Sequence, residues 1–364
     1  MDEQPSTTHH CPSTHPRTTA YPSATAQSGF TLVELLVAMV IGLLVMAGAT
    51  QLFISSQQSY RFQTSLANMQ DAGRFALDTL AQELRQADFS GGCAASQTTN
   101  HLRNIDGSEN VQNAIQAWSD TSTRSFASQL LNPVESQHSV VFRGGLITRT
   151  GFANNSLTIS DMTTAASALT FTLNRNVDSL YRNQLVLLQG LQTCEVFYNA
   201  SSKDNMLQIT AGTEWLDNMN VESGSEGEAS ALPYSVGQTV SLSALSSAIY
   251  YVGQDPENDV PPSLMRLNLS QRTPRNEIVA SNVAALRTAF LIDDAYLPPN
   301  QLSEEQWENV RALRVSLIIQ SDQTDLRRTP TTIATGNFHG DSAFTADDGR
   351  LYQAFTTTIS LRNR

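Results

Sequence analysis

One carboxylate, Glu34, sits in an otherwise uncharged run from Phe30 to Ile54. A charge at the centre of a membrane helix costs about 2.5–3.5 kcal/mol on insertion scales, so an ionisable group in such a run carries a function. To stay there it must be protonated or meet a cation. The alternative is a carboxylate that snorkels at the membrane edge with no further role. Just ahead lies the junction Gly29-Phe30, where glycine permits an extended backbone.

Other constellations that carry chemistry are missing from the sequence. Beyond residue 29 the histidines are His101, His138 and His339, far apart in the chain. H-E-x-x-H, G-x-S-x-G and G-x-x-x-x-G-K-[ST] do not occur. Gly224-Ser225-Glu226-Gly227 lacks the spacing of a nucleophile loop and reads as a linker. Asp255-Pro256-Glu257-Asn258-Asp259 alternates oxygen ligands as a calcium loop does, but without the turn glycine and the terminal bidentate Glu. Asp347-Asp348-Gly349 reads as a turn. Trp118, Trp215 and Trp307 are too dispersed for a stacking platform and read as core anchors. The expectation is a non-enzyme with no metal and no cofactor. A net charge of −12, a pI near 4.9 and a single lysine, Lys203, argue against direct binding of nucleic acid.

The elements that position Glu34 follow from periodicity. Residues 1–29 are rich in Ser, Thr, Pro, His and Gln and read as a disordered leader. Residues 30–54 form the one segment that reaches the roughly 20 apolar residues of a bilayer span, so a single crossing is expected. Phe62, Leu66, Met69, Gly73, Ala76, Leu80, Leu84 and Ala87 then recur every three or four residues, giving one helical stripe. Asp71, Arg74 and Asp78 fall on another face. Chain without proline predicts one helix from Phe30 to Phe89, ended by Ser90-Gly91-Gly92.

Past Cys93 the texture changes. Asn100–Asn132 reads as a loop with short helical pieces. Short runs rich in Val, Ile, Leu, Phe and Thr predict strands at Ser139–Arg143, Leu157–Ser160, Ala168–Leu173, Gln184–Gln189, Cys194–Tyr198, Met206–Thr210, Gln238–Leu242, Ala248–Val252 and Leu264–Leu269. Longer runs follow at Ile278–Ile292 and Val310–Ser321. Leu313–Ile319 and Phe355–Leu361 alternate as strands with one buried face. Ser303–Trp307 predicts a capped helical turn. Asn218–Ser230 and Asp255–Pro262 are acidic loops. The fold class is α+β: a long N-terminal helix packed on a largely antiparallel β head.

Gly29-Phe30-Thr31-Leu32-Val33-Glu34 followed by a pure apolar run resembles the type IV prepilin signal. Four further stretches look like the PilW group of minor pilins: Arg74–Leu77 through Ala87–Cys93, Gln184–Leu188 with Cys194–Phe197, Val310–Leu317, and Phe355–Arg364. The leader departs from the family pattern, since its nearest basic residue is Arg17, twelve residues before the glycine.

The resemblance implies cleavage after Gly29 by prepilin peptidase and N-methylation of Phe30. It divides the chain into a removed leader (1–29), a transmembrane half (30–54), an amphipathic half (55–92) and a head (93–364). The amine of Phe30, on the same or a neighbouring subunit, becomes the best partner for Glu34. It implies a bacterial inner-membrane protein with a periplasmic head, later on a pilus or the cell surface. Its role is that of a minor pilin in a priming or tip complex, with other minor pilins, the major pilin and the inner-membrane assembly platform as partners. Twitching motility and cell adhesion would follow indirectly. The alternatives are a large minor pseudopilin of type II secretion or a pilin-anchored adhesin. Cys11 lies in the leader, so Cys93 and Cys194 remain; in an exported domain they suggest one disulfide, against two unpaired buried thiols.

Overall fold

Thr31 caps the long helix α1 (Leu32–Leu84), and nothing in the sequence breaks it for 53 residues. Proline is absent throughout, and Thr50 satisfies its hydroxyl within the helix by donating to the Met46 carbonyl at 2.8 Å. The structure is a computed structural model and describes residues 29–87, 93, 98–100, 115–119, 127–133, 139–146, 157–165, 168–177, 181–191, 193–210, 234–270, 275–334 and 343–361. It divides into two units, one ending at Gln57 and one beginning at Gln58. In the first, every described residue is exposed, the apolar ones included.

The second unit holds the rest of α1 and, among the described residues, seventeen strands. They are β1 (Thr98–Asn100), β2 (Ile115–Trp118), β3 (Ser139–Leu146), β4 (Leu157–Ala165), β5 (Ala168–Leu173), β6 (Leu185–Gln189), β7 (Cys194–Tyr198), β8 (Met206–Thr210) and β9 (Thr239–Asp255). There follow β10 (Val260–Asn268), β11 (Arg275–Ser281), β12 (Val283–Ile292), β13 (Ala295–Leu297), β14 (Ala312–Gln320), β15 (Thr331–Ile333), β16 (Phe344–Ala346) and β17 (Tyr352–Ser360). β1 to β11 form one sheet, β13-β12-β14-β17 a second, and β15-β16 a hairpin. Among the described strands the pairings are antiparallel except β1 with β7.

β9 organises the large sheet, pairing with β4, β6, β3 and β10 in turn along its 17 residues. Its side chains alternate between two cores. Ala248, Tyr250 and Val252 join Met69, Ala76, Leu80 and Leu84 of α1, together with Leu286, Phe290, Leu313 and Leu317 of the second sheet. Ile249 and Tyr251 face the opposite way, toward Trp118, Leu187, Met265 and the two cysteines. β6 is divided likewise: Leu185 and Leu187 enter the cysteine core, whereas Val186 and Leu188 meet Phe171, Phe197 and Ile209 in a third. A strand buried on both faces reads as an unbroken apolar run, which explains Leu185-Val186-Leu187-Leu188. Each fully buried Leu or Phe contributes about 1.5–3 kcal/mol.

Several expectations change. The buried helical stripe begins near Ser65 and Met69, whereas Phe62 stays 43% exposed and Leu66 is half-buried. The helix proper ends at Leu84 and a turn follows; the proposed Gly91-Gly92 cap lies outside the described residues. The runs Gln238–Leu242 and Ala248–Val252 are one strand, because its neighbours keep supplying hydrogen-bond partners across the serines between them. Ile278–Ile292 is two strands, split at Asn282, whose φ of 62° is a left-handed turn that Asn tolerates. Within Asn100–Asn132 the described residues hold the buried strand β2 and a 3₁₀ turn, Ala127–Gln129. β14 is buried on both faces at its C-terminal end, since Ile318 packs under Ile333 and Phe344 of the hairpin. The turn at Glu304–Asn309 has the expected capping box between Ser303 and Gln306.

Candidate functional site

The junction Gly29-Phe30 leads directly into the helix start. Phe30 is 87% exposed, and no described atom lies within 4 Å of where a Cβ on Gly29 would stand. Glu34 is the third residue of α1. Its carboxylate accepts from the Thr31 backbone N–H at 3.0 Å and from the Thr31 hydroxyl at 3.1 Å. The Glu34 N–H in turn donates to Thr31 Oγ1 at 3.3 Å. This reciprocal pair is a capping box, and it satisfies two N–H groups that a helix start leaves open. Thr31 is the residue that sequence reasoning passed over, although Thr-x-x-Glu ahead of an apolar run is a legible cap. The apolar residues behind it, Leu32 to Ile54, are all exposed, and α1 is long and apolar enough to cross a membrane.

The second cluster ties the head to the far end of the helix. Cys93 and Cys194 are joined in a disulfide with Cα atoms 6.3 Å apart. Both are buried, among Trp118, Leu187, Val196 and Tyr251. Cys194 opens β7, where it stands opposite Gln189 of β6 and Thr98 of β1.

Polar groups fix the last turns of α1 to the sheet. Tyr250 donates its hydroxyl to Glu83 Oε2 and accepts from Arg266 Nε at 3.2 Å. Arg266 also pairs with Glu83 at 3.3 Å and with Glu277 at 2.9 Å, and donates to Ser246 at 3.0 Å. Burial, then the negative charge of Glu83, raises the Tyr250 phenol far above its ordinary value. Gly253 of β9 permits the chain to approach Leu131, whose carbonyl oxygen would lie 2.5 Å from a Cβ there. Among the described residues no group of three His, Cys, Asp or Glu is placed to hold a metal. The Asp255–Asp259 segment is a turn in which Asn258 donates to Asp255 at 2.7 Å. His101, His138, His339 and Trp215 lie outside the described residues, whereas Trp118 and Trp307 are buried in cores.

Two family models match the chain. Residues 25–50 match the prokaryotic N-terminal methylation motif, bracketing Gly29, Phe30 and Glu34. Residues 249–363 match the type IV pilus-assembly protein W family. Together the two matches make the chain similar to type IV pilins of the PilW group. Searches of curated proteins and of solved structures find no match. The PilW match begins within β9 and takes in β10 to β17, the whole four-stranded sheet included. Val310–Leu317 and the C-terminal stretch fall inside it, while the resemblances at Arg74–Cys93 and Gln184–Phe197 lie outside the matched residues. Both families are structural pilus families rather than enzyme families. The methylation motif and the exposed apolar helix support a membrane-anchored pilin, and the PilW match supports a pilin-like role in pilus assembly.

Proposed function

We propose that this pilin is a minor subunit that initiates type IV pilus assembly as part of a priming or tip complex. The observation that carries the reading is one chain holding both the methylation motif at 25–50 and the PilW match at 249–363. Prepilin peptidase removes the leader after Gly29, and Phe30 becomes the methylated amino terminus. The helix then crosses the inner membrane once, with the head in the periplasm. The buried disulfide supports that placement, since such bonds persist in oxidising compartments. Partners are other minor pilins, the major pilin and the assembly platform.

Glu34 supplies the register. In this structure its carboxylate is held by its own subunit's Thr31, an arrangement that shields it until a cation arrives. The Phe30 amine, protonated at neutral pH with a reference pKa of about 8, is that cation after cleavage. Pairing in a medium without competing water neutralises both groups and fixes the axial position of one helix against the next.

Deleting the gene and counting surface pili by electron microscopy tests the reading. Loss of pili, restored by the wild-type gene, is expected. Normal piliation with loss of secreted exoproteins would overturn it in favour of a secretion pseudopilin.

A further inference from the structure

Beside α1, within the second unit, lies a groove of about 530 Å³. Met69, Ala72 and Phe75 of the helix form one wall, and Val279 and Ala280 of β11 form the other. Phe75, which lines it, is 60% exposed, so the groove presents a large apolar side chain to solvent. Such a side chain gains by burial, and its exposure beside an apolar-walled concavity marks an interaction surface. The rim is acidic: Asp71 and Asp322 line the groove, and among the described residues no Lys or Arg does. Asp322 accepts from Asn282 at the β11–β12 corner. The nearby Arg350 is turned to Asp348 and to the carbonyls of Ser321 and Asp322, leaving the Asp322 carboxylate to the rim. β11 itself pairs only with β10 among the described strands, and five of its seven residues are exposed.

We propose that this groove and the β11 edge together dock an extended segment of a partner pilin, one bearing a large apolar side chain beside a Lys or Arg. Each part of the site selects one property of the occupant. A strand with a ladder partner on one side only offers backbone N–H and C=O groups, which favour an extended chain. The apolar walls accept a side chain of Leu or Phe size. The two aspartates place a cation at the mouth, and charges arranged this way choose partners more than they add affinity. The inference rests on the chain acting as a pilus subunit, and it adds which surface of the head recognises a neighbour and what chemistry it reads.

The test uses the full-length pilin in piliated cells, with p-benzoyl-phenylalanine placed at position 75 and, as a control, at Leu191 on the exposed β6–β7 turn. Cross-linked peptides are identified by mass spectrometry. The expected result is a cross-link from position 75, and not from 191, to an extended segment of another pilin with Lys or Arg within two residues of the attachment point. An Asp71→Arg/Asp322→Arg variant should lower that cross-link at least tenfold, with melting temperature and disulfide unchanged, and Asp71→Asn/Asp322→Asn should lower it less. Cross-links to lipid only, to a second copy of this chain, or to the same partner segment regardless of charge reversal would overturn the proposal. Those outcomes leave the deletion phenotype intact, so failure of this docking site is distinguishable from failure of the pilus assignment.

Discussion

The ring of Phe355 on β17 fills the space a side chain on Gly73 would need: a Cβ there would lie 2.6 Å from the ring. Gly73 sits on the buried face of α1, so this contact sets how closely the helix approaches the four-stranded sheet. Gly73→Leu should destabilise the protein by about 1–3 kcal/mol through overpacking, even though leucine is the better helix former. Phe355→Ala alone should also destabilise. In the double variant the two losses should be strongly sub-additive, because the new leucine enters the space the ring vacates. Denaturant melts of the four proteins check it; simple additivity would show that the ring does not limit the approach.

Removing the disulfide should cost stability without changing the fold. Cys93 and Cys194 are 101 residues apart in sequence, and the bond constrains the unfolded chain over that loop. The Cys93→Ser/Cys194→Ser variant should lose about 2–5 kcal/mol. Equal melting temperatures for variant and wild type under non-oxidising and oxidising conditions would reject a stabilising role.

Alkaline pH should unfold this protein through its tyrosines. Burial pushes the phenols of Tyr234 and Tyr251 up to about 12, and Tyr250 higher still. An unfolded phenol releases its proton near pH 10, whereas the folded ones keep theirs. The stabilisation is therefore fully present below about pH 10 and is lost as pH rises toward the folded values. Thermal melts between pH 8 and 12 should show a flat region followed by a steep fall. Absorbance at the phenolate band should show a class of tyrosines that ionises only on unfolding; complete titration in the folded state near pH 10 would contradict this.

Thr31 and Glu34 make separable predictions. Thr31→Ala removes the cap and should cost the helix start about 1 kcal/mol, read as fraying by hydrogen exchange in micelles. Glu34→Ala should leave cleavage after Gly29 and membrane insertion intact, and should reduce incorporation into the priming complex and the number of surface pili. Mass spectrometry of the mature chain should show methyl-Phe30 in both variants. Normal complex formation by Glu34→Ala would remove Glu34 from the assembly step.

The helix and most of the strands are legible in the sequence because each depends on short-range pattern, and the disulfide because Cys93 and Cys194 are the two cysteines past the leader. Ala168–Leu173, Cys194–Tyr198 and Met206–Thr210 fall where composition predicted them. What the pattern could not convey was burial on both faces. β2 shows no alternation, because Ile115 and Ala117 enter the helix core while Trp118 enters the cysteine core. The short pairs β13 and β15-β16 are only three residues each, below the length at which period-two alternation can be read. At the site, the lone carboxylate stands out from its apolar run by its charge, whereas Thr31 carries no charge to mark it as the cap partner. The Glu83–Tyr250–Arg266 cluster joins residues 167 positions apart, a relationship that only the folded chain reveals.

β9 makes the head indivisible at the point where the family boundary falls. The PilW match starts at Ile249, yet Thr239–Ser247 of the same strand pairs with β3, β4 and β6 outside it. β3, β4 and β6 therefore attach to the same continuous strand that enters the matched region. That strand also holds the seam with the helix, so a load applied to the strands at its N-terminal end travels along one backbone to Tyr250, whose side chain meets Glu83 of α1. A fragment beginning at residue 249 would keep only Ile249–Asp255 of the strand, with Tyr250 and Val252 in one core and Ile249 and Tyr251 in another, and without the ladder that Thr239–Ser247 makes with its neighbours.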